Sequence, residues 1–286
     1  MDGDLDQRLL ALRDSDDVDA LIALGCDLSD VGRHPDAEAC FRRAARDGDP
    51  VALFDLGNEL SAQQRWSEAV DPYERAVAGG ETDAWLNLGT ALEQIGDLVG
   101  ARGAFRAAVA AGDTKAWVPL GWLYEQLGEH DRARTTMAAG ADAGDPLAAA
   151  VQANWRWRDD PDPALETDLR AGAEFHPDTR ADLAQLLRDA GRAVEAREVL
   201  ERGVQLGERE SMLPLGDLLA AEFGDPVAAE GLYRQGIEAG DTHCHNNLGV
   251  LLRDRGDVAG AAEQFLLGEL AGDSLAVRNL DGLRGS

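Results

Sequence analysis

Few residues in this chain combine reactive types with a spacing that chemistry can use. His243-Cys244-His245 places three metal-ligand types in a row. Consecutive residues on a helix diverge by about 100°, so the three cannot converge on one ion, and an imidazole and a thiol packed between helices are expected instead. Asp14-Ser15-Asp16-Asp17 offers carboxylates but lacks the glycine and distal glutamate of a calcium loop. Asp217 and His243 are one pair that an enzyme without a recognisable motif could use as acid and base. H-E-x-x-H, G-x-S-x-G, a phosphate-binding loop, G-x-G-x-x-G and paired C-x-x-C are all absent from the sequence. No catalytic residue, metal ligand or cofactor is identified, and a non-enzyme is expected.

Recognition chemistry is better represented. The stretch Asn154-Trp155-Arg156-Trp157-Arg158 mixes indoles with guanidinium groups, the residue types that most often anchor a protein interface. Asp159-Asp160-Pro161-Asp162-Pro163 follows it, and its prolines end one helix and preset the first turn of the next.

The composition narrows the partners. Asp+Glu 54 against Lys+Arg 27 leaves a net charge of −27, which repels nucleic acid and anionic lipid and attracts basic partners. The 44% hydrophobic content includes only 5% aromatic residues, so the core is built from Ala, Leu and Val, which suits closely packed helices. Cys26, Cys40 and Cys244 are an odd set far apart in sequence, read as free thiols in a reducing compartment. Met1-Asp2-Gly3-Asp4 lacks the basic and apolar regions of a secretory signal, and no window reaches the length of a membrane span. A cytoplasmic location is expected.

The elements that would position these residues repeat. Leu24-Gly25, Leu56-Gly57, Leu88-Gly89 and Leu120-Gly121 each lie 32 residues after the last, and the pair returns at Leu215-Gly216 and Leu248-Gly249. Gln152-Ala153 and Leu183-Ala184 keep the register between them. A small residue precedes each Leu by four and an apolar one follows by four, which defines a helical face. A second helix is marked by Ala37, Ala69, Ala101, Ala133, Ala196 and Ala261, each followed four later by Phe41, Tyr73, Phe105, Met137, Leu200 and Phe265. Glycines at 32, 96, 128, 191, 224 and 256 end the first helices, and those at 48, 80, 112, 144, 207, 240 and 272 end the second. An acid follows each of the latter group (Asp49, Glu81, Asp113, Asp145, Glu208, Asp241, Asp273), placed to cap the next helix. Caps and solvated faces account for much of the negative charge.

Trp117-x-x-Leu120-Gly121-x-x-Tyr124 with Ala133-x-x-x-Met137, and Trp85-x-x-Leu88-Gly89-x-x-Leu92 with Ala101-x-x-x-Phe105, resemble the tetratricopeptide repeat. The junctions around Gly48-Asp49 and Gly144-Asp145 resemble those of Sel1-like repeats. The resemblance spans about residues 17 to 272. The period is near 32 rather than the usual 34, the repeat centred on Gln152 is a residue short, and that on Leu215 a residue long. It implies an all-α, right-handed α-solenoid of about eight helix pairs with capping helices at both ends. The expected organisation is an N-terminal cap over residues 1–16, an array over 17–272 with an irregular repeat at 145–175, and a C-terminal cap over 273–286. Leu5, Leu9 and Leu12 face inward from the first cap, and Leu275, Leu280 and Leu283 from the second.

The resemblance also implies that the first helix of each pair lines a concave groove, with positions on the side opposite the core projecting into it. Along the array these are Phe54 and Asn58, then Thr90, then Lys115, Trp122 and Glu125. Asn154, Trp157 and Arg158 follow from the irregular repeat, then Arg188, Asp217, His243, Asn246 and Arg253. Trp122 and Trp157 are read either as partner anchors or as packing residues. Asn87 and Asn247, with Asn279, occupy the position just before the Leu, where asparagines of some family members hold a peptide backbone. Arg253, Asn246 and His243 could form a partial clamp for a C-terminal carboxylate.

The function expected is a non-catalytic adaptor that holds a protein or peptide segment, with basic residues, in the groove. An enzyme or biosynthetic accessory protein using the groove as a small-molecule pocket is the alternative, and an acidic DNA mimic a weaker one. Nucleic acid and membrane are not expected partners, no cofactor is implied, and the oligomeric state stays open.

Overall fold

In a computed structural model, residues 2–284 are described; Met1, Gly285 and Ser286 lie outside the described residues. Two compact units divide at Asp145 and Pro146. The first holds α1 (Asp2–Ala11), α2 (Val18–Asp30), α3 (His34–Ala44), α4 (Pro50–Ala62), α5 (Trp66–Ala78), α6 (Ala84–Gln94), α7 (Leu98–Ala111), α8 (Trp117–Gln126) and α9 (His130–Asp142). In the second are α10 (Pro146–Asp159), α11 (Glu166–Gly172), α12 (Pro177–Asp189), α13 (Ala193–Gln205), α14 (Met212–Ala221), α15 (Pro226–Glu238), α16 (His243–Asp254), α17 (Val258–Leu270) and α18 (Ser274–Arg284). The described chain is all-α, with eight helix pairs from α2 to α17 flanked by α1 and α18.

The Leu-Gly signature has a packing cause. A Cβ added at Gly89 would stand 2.5 Å from the Phe105 ring, and Gly25, Gly57, Gly216 and Gly249 face Phe41, Tyr73, Tyr233 and Phe265 as closely. At Gly121 the neighbour is Met137. Each glycine thus lets the first helix lie directly on a large side chain of the second. Where alanine replaces glycine, at Ala153 and Ala184, the second helix carries Leu169 and Leu200, buried in the same core. The volume is conserved across the pair even where the residues are not.

All thirteen glycines assigned to helix ends from the sequence have positive φ, between 62° and 100°. Position 64 completes the series but holds Gln64, at φ 58°, a left-handed residue that keeps the turn despite its side chain.

Most of the junction acids cap as expected. Asp49 accepts the Ala52 N–H at 2.9 Å, Asp113 the Lys115 N–H at 2.9 Å, Asp241 the His243 N–H at 3.0 Å and Asp273 the Leu275 N–H at 2.7 Å. Glu208 does not: its Oε2 takes Arg180 Nε at 2.8 Å, because Arg180 occupies the buried position three before the Leu and needs a counter-charge.

Other acids build rungs between successive second helices. At the start of α3, Arg33 joins Asp6 of α1 at 2.7 Å and its own Asp36; before α5, Arg65 joins Glu38 at 2.6 Å and Glu68 at 2.7 Å. Arg192 repeats this before α13 with Glu166 and Glu195. Before α9 the polarity inverts, and Glu129 takes Arg102 and Arg132. Such exposed pairs are each worth well under about 1 kcal/mol, so their arrangement matters more than their number.

The caps differ. Leu5 of α1 is buried, and Arg43 holds the segment after that helix by donating to the carbonyls of Leu12, Arg13 and Ser15. In α18 Leu280 is buried and Leu283 half-buried, but Leu275 is exposed, contrary to the expected inward face, because Ala276 takes the buried position in that turn.

Candidate functional site

The face formed by the first helices carries clefts between neighbours, in one register. Between α14 and α16 lies the largest of those described, about 650 Å³, lined by Asp217, Ala220, Ala221, Gly224 and Pro226 on one side. Asn247, Val250, Leu251 and Asp254 line the other, with Tyr233 of α15 also present. A cleft of about 260 Å³ between α2 and α4 uses the same offsets, with Cys26, Ser29, Asp30, Asp55, Asn58 and Ala62. A third, about 170 Å³, lies between α4 and α6 against Asn58, Ser61, Trp66, Tyr73, Asn87 and Thr90.

Two of these clefts share a hydrogen-bond core. Asn58 Oδ1 accepts from Tyr73 Oη at 2.9 Å and from Asn87 Nδ2 at 2.7 Å. Asp217 Oδ1 accepts from Tyr233 Oη at 2.7 Å and from Asn247 Nδ2 at 2.6 Å. A tyrosine of the second helix and the asparagine before the next Leu thus converge on the residue two after the previous Leu. Burial pushes the Tyr73 hydroxyl up to about 12, and Tyr233 is raised further by burial and by Asp217, so both remain protonated donors. The asparagine column is therefore engaged within the protein rather than presented whole to a peptide. Asn279 continues it by donating to Asn246 Oδ1 at 2.8 Å.

The sequence marks Tyr73 only as a packing residue of the second helix and does not single out Tyr233. The signal was present: both stand in a column otherwise filled by Phe, Met and Leu, and a buried hydroxyl needs a partner.

The other candidates divide. Trp122 is 41% exposed, whereas Trp157 is 7% exposed and packs in the core with Leu165, Leu169 and Leu183. The expectation that Trp157 faces the groove is corrected: α11 has only seven residues, and the indole at the end of α10 fills volume that a longer partner helix would occupy. Asn154 is buried and donates to Asp182 of α12, and Asn246 is buried against Asn279 of the capping helix α18, because the next helix in the stack covers each. Phe54 is half-buried with its ring 6.2 Å from Tyr73, Thr90 bonds the Leu86 carbonyl, and Glu125 meets His130 at 2.8 Å. Lys115 is exposed.

The expected cations are neutralised in place. Arg158 lies 3.4 Å from Asp178 and 3.8 Å from Asp182, Arg188 bonds Glu222 at 2.9 Å, and Arg253 bonds Asp254 at 2.9 Å. No carboxylate clamp is assembled, since His243 begins α16 and Arg253 stands ten residues along it, about 15 Å away. His243 is exposed, Cys244 is buried, and His245 bonds Gln264 at 2.9 Å, so the three side chains meet different surroundings. Among the described residues no helix is long and apolar enough to cross a membrane.

Desolvation raises Asp182 from 3.8 to about 6, and raises Asp55 as well. The folded state therefore disfavours ionised Asp182, and stability from this group is fully present below about pH 4 and lost as pH rises through about 6. Asp182→Asn is expected to stabilise the protein at pH 7 and to lose that advantage below pH 4. Thermal unfolding of both chains across this window checks it; parallel profiles would refute the assignment.

Tetratricopeptide repeat models match residues 22–83, 54–116, 114–140, 177–202 and 242–266, together more than half of the chain. No curated protein matches. The structure of a Sel1 repeat protein from Oxalobacter formigenes is similar over 97% of this chain and 90% of that one, at 20% identity and TM-score 0.68. A protective antigen of uropathogenic Escherichia coli displaying an SLR fold is similar over 98% of this chain and 75% of its own, at 21% identity and TM-score 0.56. A tetratricopeptide repeat protein from Parabacteroides merdae aligns over 82% of this chain and 98% of its own, at 17% identity and TM-score 0.54. At these identities the likeness shows the fold, an α-solenoid whose helix pairs generally build protein-interaction scaffolds. With its Leu-Gly pairs, glycine-ended helices and matched repeats, the chain belongs to the tetratricopeptide repeat proteins.

Proposed function

We propose that the protein is a non-catalytic, cytoplasmic scaffold whose first-helix face holds a basic segment of another protein. The observation that carries this reading is the charge of the clefts: Asp30, Asp55 and Glu59 line one, Asp217 and Asp254 another, and no Lys or Arg lines either. Arg158 and Arg188 are bonded to acids outside these clefts, and Arg253 offsets Asp254 but leaves Asp217 without a cation. With a net charge of −27, the field draws cations towards the surface and disfavours nucleic acid and anionic lipid.

Affinity capture from lysate, with wild type beside Trp122→Ala, tests the reading. A polypeptide retained by the wild type, weakened several-fold or more by the variant and released as salt screens the field is the expected result. Capture of nothing by the wild type at low salt would overturn it.

A further inference from the structure

The α14–α16 cleft differs from its counterparts for a reason visible in the backbone. Six other turns within pairs close by an N–H bonding the carbonyl five residues earlier, as in Arg33 to Leu28, Asp97 to Leu92 and Asp257 to Leu252. Here Asp225 N–H reaches back six, to Leu219 at 2.9 Å. The extra residue of this repeat lies in that turn, where Phe223 packs under Arg197 with the guanidinium 5.2 Å from its ring. The wider turn adjoins the cleft through Gly224 and Pro226, and small Ala220 and Ala221 leave the space open.

The walls specify an occupant. Ala220, Val250 and Leu251 offer an apolar surface, and the only charged lining residues are Asp217 and Asp254. Tyr233 and Asn247 both donate to Asp217 Oδ1, which fixes the carboxylate and leaves Oδ2 for a donor from the cleft. Asp254 is more exposed and shares Arg253, so Asp217 is the principal anionic point. An apolar trough ending at an oriented carboxylate matches a long side chain with a methylene stem and a cationic head.

We infer that this cleft is a pocket for an arginine or lysine side chain of the bound segment, its stem over Ala220 and Leu251 and its cation at Asp217 Oδ2. The inference rests on the peptide-binding reading above and names one of its contact points. Oxygen-rich ligands such as phosphates would meet two carboxylates there.

Fluorescence anisotropy with the full chain tests it at low ionic strength. The probe is a labelled Gly/Ser peptide with a central Arg-Leu-Arg, beside the same peptide with norleucine for arginine. Saturable binding of the arginine peptide, at least about tenfold weaker with norleucine, is expected. Asp217→Asn keeps an acceptor for Tyr233 and Asn247 but removes the charge, and should weaken the arginine peptide about tenfold with an unchanged melting temperature. Glu263→Gln, which removes an exposed acid of α17 outside the cleft, should leave this binding intact. Equal affinity for the two peptides, no binding of either, or indifference to Asp217→Asn overturns the pocket. If Asp217→Asn retains every protein the wild type captures from lysate, the pocket fails while the scaffold reading stands; if the wild type captures none, the scaffold reading fails by itself.

Discussion

Glu208→Ala is expected to destabilise the second unit by about 3–5 kcal/mol, the range for removing one partner of a buried ion pair. Arg180 is buried, with its side chain 3% exposed and its Nε 2.8 Å from Glu208 Oε2. Arginine cannot shed its proton, so the variant would keep an uncompensated buried charge. The remedy is in the repeat itself: the equivalent position in α14 holds buried Met212. Arg180→Met combined with Glu208→Ala should recover most of the loss, because replacing both charges by packed apolar groups is often neutral. Denaturant unfolding followed by circular dichroism reads both. A single variant as stable as wild type would show that the pair contributes nothing.

Gly89→Ala should cost about 1–3 kcal/mol, since its Cβ would meet the Phe105 ring at 2.5 Å and force the aromatic off its rotamer. The Ala184 and Leu200 pairing shows how the chain accommodates the extra methyl group. In a Phe105→Leu background the same change should therefore cost much less. A double-mutant cycle measures the coupling, and strictly additive effects would refute the size-matching account.

Helix pairs, their ends and their caps were legible in the sequence because they depend on local periodicity and on glycine conformation. Every glycine assigned to a helix end adopts the left-handed region. Prediction failed where a residue's fate depends on its neighbour in the stack. Trp157 has the right helical angle for the groove, yet the shortness of α11 draws it into the core. Asn154 and Asn246 likewise sit on the expected face but are covered, by α12 and by the capping helix α18 respectively. Arg158 and Arg188 lost their free charge to acids at least 20 residues away, which no single-helix pattern singles out, and Arg253 to the adjacent Asp254. The cleft tyrosines were visible as residue types, but their convergence on Asn58 and Asp217 requires three helices at once.

The inverted rung at Arg102 and Glu129 bears on how the chain avoids misassembly. Repeats that are near copies can dock on the wrong neighbour while folding, a hazard of arrays in general. Docking the Arg65 repeat against α7 would set arginine against Arg102, and docking the Glu129 repeat against α3 would set glutamate against Glu38. A reversal worth little to the native state thus gives the interior of the first unit a sense of order, penalising permuted stacks that hydrophobic packing alone would accept.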